Sequence, residues 1–408
     1  MKSKTNILYI FHVSSFGGGS FSLLSLIKKL DRVHFNPIVL LKEKGPLSIE
    51  LGKIGVTVFF EKTITVVPYN RSILEINSIK QYLLILLSLR KIKYWIKKTD
   101  ADIVHINTMM MYPYALPAYK LGKKVVVHVR EHWPKGEHMI QFKIARRFIE
   151  KYSNKIIAIN GTSAEIIGIP HKTEVVYNWV DFDDRNKNID LNKLFGEDVK
   201  SLKIILFLGG TQRIKGALEV VDVFSNQIHN KEARLLFVGC DKKEIDIQGF
   251  KGIIKNILHF FNYYTYSDKI KLIAQKDDRI IFLPSTNQVK SLIEQSYCVV
   301  SFFTIPHANS PIAEATWLGK PSIAVDTPEA KDYSDNGKAA LLFNMNNKEE
   351  FKSKIIFALE NEKLINYNAI DGMRNIQEKF DPAINSKLQN TIYMDLIKSS
   401  NKVVRGYV

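Results

Sequence analysis

The stretch NSPIAEATWLGKPSIAVD, residues 309–326, joins a polar loop to a short helical segment, a glycine turn and an apolar strand. The start of such a helix favours an anion, because its first N–H groups are unpaired and its dipole is positive there. Glu314 follows one turn into the predicted helix, where a carboxylate can accept hydrogen bonds from ligand hydroxyls. The same acid is typical of a dipole-matched helix start, so an anion site and a plain cap both remain open.

Short apolar runs alternate with helical segments along the rest of the chain. Strands that are apolar throughout are typical of parallel sheets covered on both faces. The predicted strands are 7–13, 37–41, 56–60, 103–106, 125–129 and 156–159 in the first half, and 204–208, 235–238, 280–283, 298–303 and 322–325 in the second. The predicted helices are 21–30, 79–98, 217–228, 266–275, 288–294 and 312–318.

The chain is long enough for two domains, since it has 408 residues with 46% hydrophobic side chains. Residues 181–199 are charged and poor in aromatic side chains, which is typical of an interdomain linker. We therefore predict an α/β fold in which two Rossmann-like, doubly wound parallel-sheet domains face a cleft. The domains are predicted at 1–182 and 200–380, and a C-terminal helix within 381–408 is expected to cross back to the first domain.

The net charge of +17 fits three kinds of anionic partner, namely nucleic acid, a membrane surface and small substrates. No helix-turn-helix, zinc-finger or aromatic RNA-binding motif accompanies the charge, so nucleic acid is not an expected partner. Residues 79–98 are apolar with a basic end. This segment fits either a helix lying on a membrane or a domain helix with a wide buried face.

The sequence shows no secretory signal and no run approaching the roughly 20 apolar residues that span a bilayer. Two cysteines, Cys240 and Cys298, lie beside apolar runs and form no metal or redox motif. They are expected to be buried thiols in a reducing compartment, which predicts a cytoplasmic protein.

The segment GGTQRIKG follows the first predicted strand of the second half, where a ligand loop belongs in such a sheet. A glycine turn with two nearby cations suits a diphosphate, since Arg can clamp phosphate with two hydrogen bonds and Lys can neutralise it. The residues selected are Gly209, Gly210, Arg213 and Lys215. Gly239, which ends the next strand, fits either a nucleotide contact or a plain turn.

Three glycines, Gly17, Gly18 and Gly19, follow the first predicted strand of the chain. They fit either a tight turn or a backbone that approaches phosphate or sugar closely. The three residues are therefore candidates for contact with an acceptor or a sugar.

Ionisable side chains cluster at the end of the strand predicted at 125–129, in a position that carries chemistry in many α/β proteins. Histidines there can hydrogen-bond substrate hydroxyls, although a lone histidine is more often structural. The candidates are His128, Arg130, Glu131 and His132.

Together these segments resemble GT-B glycosyltransferases of the large retaining family that uses nucleotide-diphosphate sugars, over nearly the whole chain. Residues 102–105 (DIVH) and 178–181 (NWVD) are similar to the family's strand motif and to its segment before the linker. Residues 209–216 are similar to its diphosphate loop, and residues 314–321 to its E-A and G-K-P motif. The pieces occur in the family's order, which makes the resemblance more specific than any one of them.

The resemblance implies that Arg213 and Lys215 hold the donor diphosphate and that Glu314 binds the ribose or phosphate side of the donor. It also implies a histidine that touches the sugar and takes a catalytic role with Glu314, for which His128 and His132 both remain candidates. Further expected contacts with the donor come from Asn309, Ser310, Pro311 and Ile312, and His307 is a further candidate for the sugar.

The chain departs from the family pattern at two positions. The family's first acid, eight residues before Glu314, is replaced here by Pro306. The family loop often carries Arg directly after its first glycine, where this chain has Gly210, so that Arg213 is expected to substitute.

The predicted activity is retaining transfer of a sugar from a UDP- or GDP-sugar to a saccharide or lipid-linked acceptor, in capsule- or O-antigen-like polysaccharide synthesis. No metal or other cofactor is expected, because Asp181-Phe182-Asp183 lies in the predicted linker and reads as a solvated charge cluster. The basic surface fits contact with the anionic inner face of the plasma membrane. Two alternatives remain: a nucleotide-sugar epimerase of the same fold, and a nucleotide- or glycan-binding protein that has lost catalysis, as Pro306 suggests.

Overall fold

The computed structural model describes residues 4–15, 17–68, 75–131, 139–182, 189–240 and 264–404, with side chains to residue 398. The chain divides into two compact units. The first unit contains residues 1–179 and 381–408, and the second contains residues 180–380.

The first unit is built on a parallel sheet of seven strands in the order β3-β2-β1-β4-β5-β6-β7. All six strand pairs are parallel. The strands are β1 Thr5–Phe11, β2 Phe35–Leu41, β3 Thr57–Phe60, β4 Ile103–Ile106, β5 Lys124–Val129, β6 Lys155–Ala158 and β7 Thr173–Val175.

Helices cover both faces of this sheet, as the alternation of side chains along β1 shows. Leu8 and Ile10 enter one core cluster, whereas Ile7, Tyr9 and Phe11 enter another on the opposite face. The helices are α1 Gly18–Lys28, α2 Pro46–Lys53, α3 Ile76–Lys98, α4 Ala115–Lys120, α5 Met139–Tyr152 and α6 Gly161–Ile167, with a 3₁₀ helix at Met109–Tyr114.

The second unit is built on a parallel sheet of six strands in the order β10-β9-β8-β11-β12-β13. The side chains of its first strand also pack on both faces of the sheet, since Ile205 and Phe207 enter one core cluster and Ile204 and Leu206 enter another. The strands are β8 Lys203–Phe207, β9 Ala233–Val238, β10 Ile280–Leu283, β11 Cys298–Ser301, β12 Ser322–Val325 and β13 Ala340–Phe343.

The described helices of the second unit alternate with its strands, and the last of these helices are longer than the first. The helices are α7 Leu191–Phe195, α8 Ala217–Gln227, α9 Tyr266–Ala274, α10 Val289–Gln295, α11 Ser310–Trp317, α12 Pro328–Asp332, α13 Lys348–Glu360 and α14 Glu362–Lys379, with 3₁₀ helices at Val199–Ser201 and Arg213–Lys215. The last helix, α15 Pro382–Val404, belongs to the first unit.

The two parallel sheets confirm the predicted α/β fold class, and each predicted strand has a counterpart in the structure. Two strands were missed, β7 and β13, because both are short strands at a sheet edge and the first carries polar side chains. Cys240 and Cys298 are buried free thiols, as expected.

Two local predictions were wrong. The predicted linker 181–199 contains α7, which packs into the second core through Leu191, because its apolar side chains outweigh the surrounding charges. The three glycines do not form a tight turn: Gly17 is the extended N-cap of α1, and Gly18 and Gly19 begin that helix.

Of the helices in the described ranges, none is long and apolar enough to cross a membrane.

Helix α15 completes the core of the first unit. Its buried side chains Ile392, Tyr393 and Leu396 join the same cluster as Tyr9 and Phe35 of the first two strands. The first unit therefore depends on residues from both ends of the chain.

We expect Leu396→Ala to lower the free energy of unfolding by about 2–5 kcal/mol, because it empties a buried position that is 6% exposed. Leu388→Ala on the same helix is the control, since Leu388 is 38% exposed and should cost much less. Urea denaturation measures both changes, and equal losses would contradict the packing described for α15.

Candidate functional site

The loop after β8 is held by glycines that permit close backbone contact. The Gly210 N–H donates to the Val238 carbonyl at 3.0 Å, and a Cβ placed on Gly239 would lie 3.0 Å from the Gly210 Cα. Both glycines have positive φ values, 57° and 92°, which L side chains rarely adopt. A side chain on Gly209 would meet the Phe207 ring at 2.0 Å. The loop after β8 and the loop after β9 therefore meet backbone to backbone at the carboxyl edge of the sheet.

Arg213 presents its guanidinium on the surface of this loop. The Arg213 Cζ atom lies 5.4 Å from the centre of the Tyr266 ring, a favourable cation–π arrangement. The Tyr266 hydroxyl accepts the Leu218 N–H at 3.0 Å and donates to Glu219 at 3.2 Å, which fixes the ring. Arg213 forms no salt bridge with the carboxylates that the structure describes, so its charge is available to a ligand.

Lys215 and Glu314 are a partly buried pair of opposite charges near this loop. Burial raises the pKa of the Glu314 carboxyl to about 7, against the opposing effect of the Lys215 ammonium. Burial also lowers the pKa of Lys215, and Glu314 opposes that shift. The Glu314 carboxyl therefore titrates near neutral pH, where hydrogen-bond donors from a ligand would favour its ionised form.

Glu314 is the fifth residue of α11, so it lies one turn into the helix, as expected. The helix starts two residues earlier than the predicted 312, because Ser310 begins it and Pro311 fits in its first turn. A carboxylate this far along the helix does not cap it or match its dipole. The interpretation of Glu314 as a plain cap is therefore excluded, and contact with a ligand stays a prediction.

The start of α11 leaves a backbone donor without a partner. The N-cap residue Asn309 is 2% exposed, and its Oδ1 accepts the Ser301 hydroxyl at 2.9 Å instead of capping the helix. Among the described residues, no group accepts the Ser310 N–H, while the Ile312 N–H is bonded to the Asn309 carbonyl. His307 nearby packs edge to face on Phe303, with ring centres 5.0 Å apart.

In the first unit, Arg130 follows β5 and ties several loops together. Its Nε donates to the Asn107 carbonyl and Oδ1 at 3.2 Å, and its Nη1 donates to Ser22 at 2.6 Å and to Asn178 at 2.9 Å. Its Nη2 donates to Asn107 Oδ1 at 3.0 Å and faces His128 Nδ1 at 3.2 Å. These contacts occupy the N–H groups of the guanidinium, so Arg130 supports the site from within.

His128 lies beneath this arginine and is 2% exposed. Its Nδ1 also lies 3.3 Å from His105 Nε2, whereas its Nε2 is buried with no hydrogen-bond partner among the described residues. Burial, with the charge of Arg130 adding to it, holds the pKa of His128 well below its ordinary value. His128 is therefore a neutral histidine with one unused ring nitrogen.

Glu131 is held by the 3₁₀ helix that follows β4. It accepts the Met109 N–H at 3.1 Å and the Thr108 hydroxyl. Burial raises the pKa of the Glu131 carboxyl. His132, the fourth candidate of this cluster, lies outside the described residues, as does Asp183 of the acidic pair in the predicted linker.

Gly17, Gly18 and Gly19 lie at the start of α1 at the same edge of the first sheet. Gly17 and Gly18 have open space where a side chain would be, and a Cβ on Gly19 would meet the Phe11 ring at 3.2 Å. Their part in binding stays a prediction.

The structure also identifies supporting residues that the sequence reasoning missed. Tyr266 contacts Arg213 in the loop after β8 and Ser301 contacts Asn309 at the start of α11, while Asn107, Ser22 and Tyr393 complete the network in the first unit. Tyr393 could not have been found by local pattern, because its contact with His105 joins residues 288 positions apart.

The raised pKa of Glu314 predicts a pH dependence of stability. Its pKa is about 7 in the folded protein against an ordinary 4.5, so its contribution is fully present below pH 4.5 and is lost as pH rises through 7. Relative to Glu314→Gln, the wild type should lose roughly 1–3 kcal/mol between pH 4.5 and 7.5. Urea denaturation across this range measures it, with the exposed Glu360→Gln as control; parallel curves for wild type and Glu314→Gln would contradict it.

Two family models match the chain in succession. The model described as Glycosyltransferase Family 4 matches residues 16–184. The model described as Glycosyl transferases group 1 matches residues 193–371. A search of curated proteins found no matching sequence.

Solved structures share the fold over almost their whole length. HepE from Anabaena in complex with UDP-glucose has a TM-score of 0.71 at 17% identity, covering 96% of this chain and 99% of that one. A glycosyltransferase from Rickettsia africae has a TM-score of 0.69 at 19% identity, covering 97% and 99%. Sucrose-phosphate synthase from Thermosynechococcus elongatus has a TM-score of 0.69 at 13% identity, covering 97% and 100%.

The matched ranges include the segments described above, from the glycines that begin α1 to the helix that carries Glu314. They are models of transferases, which decides against the epimerase alternative. The chain therefore belongs to the family 4-like, group 1 glycosyltransferases of GT-B fold.

Proposed function

We propose that this glycosyltransferase moves a sugar, with retention of configuration, from a nucleotide-diphosphate sugar to a saccharide or lipid-linked acceptor. The setting proposed is capsule- or O-antigen-like polysaccharide synthesis at the cytoplasmic side of the plasma membrane. The observation that carries the donor assignment is the Arg213 guanidinium, which forms no salt bridge with a described carboxylate and stands beside Lys215 and the Glu314 helix.

The carboxyl edge of the second sheet supplies complementary groups for each part of such a donor. Arg213 and Lys215 are cations suited to the diphosphate, and the Ser310 N–H at the start of α11, which has no acceptor among the described residues, is a further donor to its oxygens. The Glu314 carboxylate suits the ribose hydroxyls, since it has no hydrogen bond to a described residue and only the electrostatic influence of Lys215. The UDP-glucose carried by HepE, a protein of the same fold, makes a UDP-sugar the first donor to test.

The chemistry asks the protein to stabilise the negative charge that develops on the leaving nucleotide diphosphate. Arg213 and Lys215 can do this, because they are preorganised by Tyr266 and by partial burial rather than by reorientation during the reaction. We propose that transfer needs no metal ion. Turnover that survives removal of divalent cations by a chelator would support this, and loss restored by added Mg²⁺ or Mn²⁺ would contradict it.

The first unit is the proposed acceptor side, with the sugar contact at His128. The His128 ring is neutral and keeps one buried nitrogen unused, which suits a hydrogen bond to a hydroxyl of the sugar. Glu131 and Arg130 would act behind it, because both are occupied by contacts inside the unit.

A protein that binds nucleotide without turnover is the second candidate. Pro306, at the position of the family's first acid, is exposed and carries no titratable group, while the neighbouring His307 is engaged with Phe303. Release of free nucleotide diphosphate with formation of a glycosylated acceptor supports transfer. Nucleotide binding without release from any donor, in the presence of acceptor lipids, supports the binding protein instead.

We expect Arg213→Ala to weaken UDP binding by roughly 10- to 100-fold and to leave uridine binding unchanged, because it removes charge-assisted hydrogen bonds to phosphate. Arg234→Ala is the matched control. Arg234 is at the amino-terminal end of β9, the opposite edge of the sheet, and is paired with Glu197. Calorimetric titration measures the affinities, with GDP and ADP in parallel; equal losses for UDP and uridine would argue against a phosphate clamp.

The membrane contact proposed above is supported by one face of α3. Ile79, Leu83 and Leu86 are 45%, 56% and 61% exposed and recur at helical spacing, so they form one apolar stripe. The same spacing continues into exposed cations, Arg90, Lys93 and Lys97. The opposite side of α3 is a buried face of the domain, since Ile85, Ile92 and Ile96 pack into the core of the first unit. The exposed stripe is additional to that buried face and is the part proposed to meet a membrane.

A shallow apolar cavity lies beside this stripe, between α3, α5 and the 3₁₀ helix. Its volume is about 410 Å³, and its lining includes Tyr82, Tyr112 and Ile144. An apolar stripe that continues into cations matches the acyl and anionic headgroup layers of a membrane surface. We therefore propose that α3 lies on the anionic leaflet from which a lipid-linked acceptor would be drawn.

We expect the double variant Leu83→Ser, Leu86→Ser to bind phosphatidylglycerol-containing vesicles about 10-fold more weakly, because it removes apolar area that enters the leaflet. The control is Leu364→Ser, Ile370→Ser, which changes two exposed apolar residues of the second unit. Sedimentation with vesicles measures binding, and purely phosphatidylcholine vesicles test the charge requirement. Equal binding by both double variants would refute the role of α3.

A further inference from the structure

The histidine pair under Arg130 continues into a chain of buried hydrogen bonds that reaches the last helix. Tyr393 OH lies 2.7 Å from His105 Nδ1, and it accepts hydrogen bonds from Tyr9 OH and Gln389 Nε2, both at 3.3 Å. Every member of the chain is at most 2% exposed. Water therefore does not compete for these groups, and their donors and acceptors must match one another.

The direction of the chain follows from Arg130, because an arginine side chain donates and cannot accept. His128 Nδ1, 3.2 Å from Arg130 Nη2, must then be an unprotonated acceptor. A neutral His128 consequently carries its proton on Nε2. The same nitrogen, Nδ1, faces His105 Nε2 at 3.3 Å, so in a hydrogen bond between the two rings His105 donates from Nε2 and shares the lone pair of His128 Nδ1 with Arg130.

The other end of the chain is compatible with this direction. If His105 carries its proton on Nε2, its Nδ1 is an acceptor, and Tyr393 must donate to it. Tyr393 can do so, since its oxygen already accepts from Tyr9 and Gln389. Burial and the Arg130 charge lower the pKa of His105 to about 3, which keeps the ring neutral as the chain requires.

Two buried donors are left over by this arrangement, on neighbouring strands. One is His128 Nε2 and the other is Asn107 Nδ2, and neither has a partner among the described residues. The orientation of the Asn107 side-chain amide also follows from Arg130, because the donors of Arg130 require the oxygen Oδ1, and not the nitrogen, to face them. Asn107 follows Ile106, which pairs with Val127, the residue before His128. The two donors thus sit at matching positions at the carboxyl ends of β4 and β5.

We propose that Tyr393 is a positioning residue that fixes the tautomer of His105 and thereby supports Arg130 in holding His128 as its Nε2–H tautomer, so that His128 and Asn107 form a preset pair of donors for the oxygen atoms of a bound saccharide. The identity of the ligand rests on the proposed function, whereas the tautomers do not. The last helix of the chain thereby contributes to a site whose ligand it does not touch.

The tautomers can be read directly in the full-length protein labelled with ¹⁵N-histidine. Long-range ¹H–¹⁵N correlation spectra distinguish Nδ1–H from Nε2–H rings, and the signals among the ten histidines are assigned with His105→Gln and His128→Gln. We expect both rings as Nε2–H tautomers in the wild type at neutral pH. An Nδ1–H form at either ring would overturn the proposal, whatever the variants do.

Tyr393→Phe removes the hydroxyl that donates to His105 and should give His105 a mixture of tautomers. Tyr9→Phe is the matched control, since it removes a buried hydroxyl one step further away and leaves the Tyr393 donor in place. We expect kcat to fall roughly 3- to 10-fold in Tyr393→Phe, with little change in donor KM, and to stay near wild type in Tyr9→Phe.

Unchanged His105 tautomers in a folded Tyr393→Phe protein, or equal kinetic losses in both variants, would overturn the positioning role. The wild-type spectrum decides the question even if Tyr393→Phe does not fold. Expected tautomers in a protein that shows no sugar transfer with any donor would instead overturn the proposed function alone.

Discussion

Burial of parallel strands on both faces is the constraint on which the rest of this structure depends. A strand in such a sheet sends alternate side chains into two separate cores, as β1 does with Leu8 and Tyr9. Helices must therefore return the chain each time to the same end of the sheet, and every strand then ends at the same edge. The glycine loops, Arg130 and the Glu314 helix all follow strands at those edges, where the chain leaves the apolar cores and polar groups can be accommodated.

The parts of the fold that sequence predicted well are those where an apolar run ends sharply in polar side chains. Strands such as 280–283 and 322–325 were placed to the residue, because their ends coincide with the change from apolar to polar side chains. The edge strand β7 has only three partly exposed residues and offers no such change. Helix α7 was hidden within a charged segment, since one buried leucine anchors it.

The charged residues of the candidate site could be selected from the sequence, but the residues that hold them in place could not. Arg213, Lys215 and Glu314 could be selected because cations and an acid after strands suit a donor, and the structure places them at one edge of one sheet. Tyr266 beneath Arg213 and Tyr393 behind His105 could not be selected, because contacts between residues far apart in sequence leave no local pattern. The hydrogen bonds that Arg130 makes to Asn107 and Ser22 were equally invisible in the sequence, and its contact with a ligand stays a prediction.

The first unit is assembled from residues 1–179 and 381–408, with all of the second unit between them. During synthesis on the ribosome, the first sheet emerges early but lacks α15 until the whole of the second unit has been made. The second unit, being continuous in sequence, can finish folding before α15 is available. The seven-stranded sheet must therefore wait with an uncovered apolar groove around Tyr9 and Phe35, which α15 fills last. The chain is then most exposed to aggregation between synthesis of the first sheet and docking of α15, and a longer insertion between the two would lengthen that interval.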